Sequence, residues 1–85
     1  MTTKFVSATY KQDYFIDFGL NNGKQLIFDF EPWLLANQNP MNTQFLNKER
    51  FKHFSLDRYG IVTWNGPQGE MDFDYDHLPS LITQI

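Results

Sequence analysis

Apolar and polar residues alternate along Gln25-Leu26-Ile27-Phe28-Asp29-Phe30, with Leu26, Phe28 and Phe30 on one side and Ile27, Asp29 and Glu31 on the other. A period of two sends successive side chains to opposite faces of a strand, so this segment predicts one deeply buried face and one that is partly wet. Tyr14-Phe15-Ile16-Asp17-Phe18 is equally rich in strand formers. Between the two lies Gly19-Leu20-Asn21-Asn22-Gly23, whose Asn and Gly residues adopt the positive φ of tight connections, and a hairpin is predicted. Upstream, Val6, Ala8 and Tyr10 share one side of an extended segment, which predicts a first strand over residues 5–10, at the sheet edge. Residues 53–56 and 61–64 form a second predicted hairpin around Asp57-Arg58-Tyr59-Gly60.

Two interruptions are helical. Glu31-Pro32-Trp33-Leu34-Leu35-Ala36 accepts Pro32 at its first position, where a missing N–H costs nothing, and Asn37-Gln38-Asn39-Pro40 ends it. Asn47 stands as an N-cap before Lys48-Glu49-Arg50, a turn that brings Phe51 near Leu46 or Phe54 and leaves Lys48, Arg50 and Lys52 facing solvent. Asn65-Gly66-Pro67-Gln68-Gly69 reads as a loop. Asp74 or Asp76 is expected to cap a terminal helical turn through Leu78, Leu81 and Ile82, with Pro79 limiting where it starts. Repeats, low-complexity tracts and linkers are absent from the sequence. The predicted architecture is a single two-layer α+β domain over residues 1–85, an antiparallel sheet of about five strands with short helices on one face.

Composition adds constraints. An 85-residue chain buries only about 60–65% of its unfolded surface, so its core is small, and nine Phe residues are an efficient way to fill it. With no cysteine there are no disulfides, thiolate metal sites or cysteine nucleophiles, and the reducing cytoplasm is the expected compartment. The opening Met1-Thr2-Thr3-Lys4-Phe5-Val6 lacks a signal-peptide core, and no segment has the roughly 20 apolar residues of a membrane span. A net charge of −3 disfavours polyanions and favours basic partners.

The order of Gly23, Phe28-Asp29-Phe30, Trp33-Leu34-Leu35, Phe45-Leu46-Asn47 through Phe51, Leu56-Asp57, Gly60, Thr63-Trp64-Asn65-Gly66 and Asp72-Phe73-Asp74 through Leu78 resembles the bacterial family called domain of unknown function 2442. The resemblance covers nearly the whole chain. It implies a small sheet-plus-helix fold with no established enzymatic activity. Some members are joined to helix-turn-helix DNA-binding regions, and for a stand-alone member the resemblance implies an antitoxin-like role beside a small toxin. This chain departs from the family pattern in a longer stretch over residues 65–71. Its end at Ile85 is expected to leave no room for a helix-turn-helix extension.

Candidate chemistry is sparse. Asp72, Asp74 and Asp76 alternate like the first ligands of a calcium loop, but His77 occupies the position of the turn glycine and Thr83 that of the closing glutamate. A strand edge and helix cap with exposed carboxylates, Glu70 included, is the expected arrangement. His53 and His77 lack cysteine partners and His-Glu-x-x-His spacing, so neither zinc nor histidine catalysis is expected. Ser7, Ser55 and Ser80 have no nucleophile-elbow context, and the glycine stretches fit no phosphate-cradling motif. No cofactor is implied. Tyr10, Tyr14, Phe15, Phe18, Tyr59 and Trp64 are assigned to core packing in preference to a base-stacking platform.

The expected function is a non-enzymatic interaction module, antitoxin-like, in which Asp72, Asp74 and Asp76 meet a protein partner such as a small basic toxin. The alternative is a nucleic-acid-associated regulatory domain whose Lys48, Arg50, Lys52 and Arg58 touch phosphate while another chain reads sequence. Exposed strand edges and limited burial also leave room for a homodimer.

Overall fold

A computed structural model describes residues 2–78. In chain order it contains β1 (Phe5–Gln12), β2 (Phe15–Leu20), β3 (Gln25–Asp29), α1 (Glu31–Ala36), α2 (Pro40–Thr43), a 3-10 turn (Gln44–Leu46), α3 (Lys48–Phe51), β4 (Phe54–Leu56), β5 (Val62–Gly66), β6 (Gly69–Phe73) and a second 3-10 turn (Tyr75–His77). The class is α+β with antiparallel pairing, as the alternation predicts.

The single sheet of about five strands is corrected to two sheets of three, ordered β1-β2-β3 and β4-β5-β6. One reason lies in β1, which packs beside β4 without pairing to it. Register shifts between Phe5 and Ser7 and between Tyr10 and Gln12 interrupt β1, and such bulges bend and twist a strand. The first bulge also changes which residues face inward. Phe5 is buried in line with Ala8 and Tyr10, while Val6 is 55% exposed, contrary to the simple alternation.

The other reason is a sixth strand where a loop was expected. Asn65 and Gly66 continue β5, Gly69 opens β6, and a two-residue turn of Pro67 and Gln68 joins them. Residues 65–71 are therefore mostly paired strand. Gln44 ties this hairpin down from the helical segment. Its Nε2 donates to the carbonyls of Met41 (2.8 Å) and Gly69 (3.1 Å), and its Oε1 accepts from the Gln68 N–H (3.1 Å). A β-carbon at Gly66 would stand 2.2 Å from Gln44 Oε1, so glycine permits this close approach.

The helical caps follow the sequence more closely. Asn47 Oδ1 accepts from the N–H groups of Glu49 (3.0 Å) and Arg50 (3.3 Å) at the start of α3. The Asn37-Gln38-Asn39-Pro40 stretch ends α1 as expected, with Asn37 as its C-cap, but Pro40 also begins α2, with Asn39 as its cap. Phe30 precedes α1, and Pro32 sits in its first turn.

The core is aromatic and shared by both sheets. Phe5 stacks on Phe18 at 3.9 Å, and Phe30 meets Phe18 and Phe28 on one side and Trp64 and Phe73 on the other. Two polar tips inside it are satisfied: Trp64 Nε1 donates to the Phe51 carbonyl at 2.6 Å, and the Tyr14 hydroxyl donates to the Leu46 carbonyl. Burial raises the Tyr14 phenol above its ordinary range, which keeps it a donor.

Candidate functional site

Among the described residues β6 pairs with β5 alone and so forms an edge of the second sheet. Met71 and Phe73 point into the core, and Glu70 and Asp72 point out. The register sets Gly66 opposite Gly69 across a two-residue turn, which makes that a hydrogen-bonded pair and, by alternation, Trp64–Met71 and Val62–Phe73 as well. The backbone N–H and C=O groups of Glu70 and Asp72 consequently point away from β5, toward the open edge. This edge thus combines free backbone donors and acceptors with two carboxylates.

The chain then turns at Asp74, whose Oδ1 accepts from the His77 N–H at 2.8 Å and caps the second 3-10 turn. The expected terminal cap is present at Asp74. Its continuation through Leu81 and Ile82 lies outside the described residues. His77 Nδ1 stands 2.5 Å from the same carboxylate oxygen. That hydrogen bond, assisted by the negative charges of Asp74 and Asp76, raises the His77 pKa above its ordinary value. Together Ile61, Asp72, Phe73, Asp74 and His77 line a shallow groove of about 330 Å³.

The sign of the His77 shift sets a pH window. A raised folded-state pKa means that the contact is fully stabilising below the ordinary imidazole value of 6.5 and is lost as pH rises through the raised value. The imidazole resonances of His77 are expected to titrate above those of a free histidine. Asp74→Asn should return the midpoint toward the ordinary value, and an unchanged midpoint would mean that another group holds the proton.

The sequence-nominated residues separate into two groups. Among the described residues, Glu70, Asp72 and Asp76 have no ion-pair partner, whereas Asp74 is committed to His77. Of the four basic residues two are less free, while Arg50 on α3 is exposed and has no ion-pair partner among the described residues. Lys48 Nζ lies 3.0 Å from Asp13, an interaction that raises its pKa, and Lys52 Nζ lies 3.0 Å from Glu49. Arg58 is not with them. Its carbonyl accepts from Lys4 Nζ (3.3 Å) near the start of β1, whereas Lys48 meets Asp13 just beyond the end of that strand. Its guanidinium lies 5.0 Å from the Tyr59 ring centroid and donates to the Tyr59 hydroxyl at 2.9 Å.

The aromatic residues do not assemble as a platform either, because Tyr14, Phe18 and Trp64 are buried, whereas Tyr59, assigned to the core from sequence, is instead 65% exposed in the turn before Gly60. Among the described residues, no three His, Asp or Glu side chains cluster closely enough to hold a metal ion. None of their helices is long and apolar enough to cross a membrane. Sequence reasoning placed the carboxylates on a strand edge and a helix cap, but it missed that this strand starts at Gly69 and pairs with β5 across a two-residue turn. The available signal was the inward pair Met71 and Phe73, which continues a strand pattern directly after Gly69.

Fold and site together define a small α+β domain whose distinctive surface is an acidic strand edge. The chain belongs to the family described as "Protein of unknown function (DUF2442)", whose sequence pattern matches residues 5–82. No curated protein and no solved structure matches it.

Proposed function

We propose that this chain is a non-enzymatic, cytoplasmic interaction module that receives a basic protein partner on the β6 edge, in the manner of an antitoxin covering a small toxin. The observation that carries the reading is the combination at Glu70 and Asp72 of free backbone hydrogen-bonding groups and unpaired carboxylates on one open edge. A partner strand carrying Lys or Arg gains main-chain pairing from the first and charge complementarity from the second. Asp76 and the Asp74–His77 groove extend the acidic surface beyond the strand. A ribonuclease toxin needs a cationic surface to hold RNA, so a partner of this kind would be occluded where it acts.

The nucleic-acid reading has weaker support, since Lys48 and Lys52 are already paired locally and Arg58 sits apart from them. The test is affinity capture from the native host, comparing the wild-type chain with Glu70→Lys/Asp72→Lys. Wild type is expected to retain a small basic protein, with retention falling as salt rises and by at least about tenfold in the double variant. Both side chains are exposed, and circular dichroism will confirm that the variant is folded. Equal retention by the two chains would end this reading. Salt-sensitive oligonucleotide binding lost on Lys48→Glu/Arg50→Glu would favour the alternative.

A further inference from the structure

The first sheet also has an open edge, at β3, and its chemistry differs from that of β6. The Phe30 N–H donates to the Tyr14 carbonyl (2.9 Å), and the Leu20 N–H donates to the Lys24 carbonyl (2.8 Å). These bonds bracket the β2–β3 ladder. With alternation, Ile16–Phe28 and Phe18–Leu26 are the hydrogen-bonded pairs, and Gln25, Ile27 and Asp29 turn their N–H and C=O groups outward. Their side chains share the outer face of the sheet, where Ile27 is 59% exposed.

We infer that β3 pairs antiparallel with β3 of a second copy about a two-fold axis at Ile27, fusing two three-stranded sheets into one. This register sets Ile27 against its own counterpart and Gln25 against Asp29 at both ends. Asp29 Oδ1 already accepts from the Glu31 N–H at 3.0 Å, and its other oxygen is placed to accept from the Gln25 amide of the second copy. On the inner face, Leu26 meets Phe28. Moving the axis to Asp29 would oppose two carboxylates, and moving it to Gln25 would set Ile27 against Gly23. The Ile27 axis alone matches apolar with apolar and donor with acceptor. Beside it, Lys11, Gln12, Phe15 and Ile27 line an open groove of about 360 Å³, so the apolar surface continues past the strand itself.

β6 is excluded from the same use. Its outward backbone groups belong to Glu70 and Asp72, so every antiparallel self-pairing through them places carboxylate opposite carboxylate. The two edges are thus assigned different occupants, a second copy at β3 and a basic protein at β6.

Sedimentation equilibrium of the full chain tests the inference. A monomer–dimer equilibrium is expected in the micromolar range. Ile27→Lys, at an exposed position, should weaken it by about a hundredfold through like charges at the axis. Gln25→Glu should also weaken it, and adding Asp29→Gln should restore it, because the exchange rebuilds the donor–acceptor pair only in this register. Glu70→Lys/Asp72→Lys should leave the dimer intact, which separates this result from the fate of the partner-binding reading. A chain that stays monomeric at millimolar concentration, or a dimer indifferent to Ile27→Lys, would overturn it.

Discussion

Trp64→Ala is expected to remove about 3–5 kcal/mol of stability, as a buried tryptophan truncation does. At about 0.05–0.15 kcal/mol per residue, this chain has roughly 4–13 kcal/mol in all, so the loss is a large share of it. The reasons lie in the position. Trp64 is fully buried at the centre of β5, opposite Phe54 and Met71, and stacks on Phe51 at 5.5 Å. Trp64→Phe separates its two contributions. The ring contacts largely survive, but the Phe51 carbonyl loses the indole N–H that now reaches it at 2.6 Å, at a cost of about 1–3 kcal/mol. Urea unfolding followed through Trp33, which packs against Phe73 at 4.9 Å, reports both variants. If Trp64→Phe proves as damaging as Trp64→Ala, the hydrogen bond rather than the ring contacts dominates at this site.

What the sequence disclosed was mainly local. The β2–β3 hairpin, α1 and the Asn47 cap follow from alternation, Pro32 and a side chain that bonds its own backbone, all of which act within a few residues. Asp57 is similar: its Oδ1 accepts from the N–H groups of Tyr59 (2.9 Å) and Ile61 (3.0 Å), holding the turn that precedes Gly60. Long-range facts were not legible. Whether β1 pairs with β4 or only packs beside it depends on bulges and on Gly60, whose φ of +82° leaves it against the Phe5 backbone. The Pro67–Gln68 turn was masked by loop-forming composition, although the buried amide of Gln44 fixes it from 24 residues away.

The candidate site divides along the same line. Its carboxylates were visible as a sequence pattern, and the cap was narrowed to Asp74 or Asp76, of which Asp74 caps the turn. The pairing of Lys48 with Asp13 spans 35 residues, and no local signal announces it. That contact and Lys52–Glu49 engage two of the basic residues, whereas Glu70 and Asp72 on the acidic edge have no ion-pair partner among the described residues.

Phe30→Ala is expected to unfold both sheets together, with a loss of about 3–5 kcal/mol. Phe30 occupies the junction between β3 and α1 and is fully buried. Its ring lies 4.4 Å from Phe28 and 6.2 Å from Phe18 in the first sheet, and 5.2 Å from Trp64 and 5.5 Å from Phe73 in the second. Among the described residues no hydrogen-bonded strand pair joins the sheets, so their cooperation depends on rings of this kind. Its backbone adds to the effect, since the N–H donates to Tyr14 and the carbonyl accepts from Leu34, fixing the ring where strand becomes helix. Alanine preserves those backbone bonds and deletes the shared ring alone. Phe30→Leu, which fills part of the volume, should cost less, about 1–2 kcal/mol. Amide hydrogen exchange distinguishes cooperative from partial failure: protection should fall in parallel at Phe18 and Trp64. If the alanine variant loosens one sheet and leaves the other protected, the two sheets have independent cores and the single-domain reading fails.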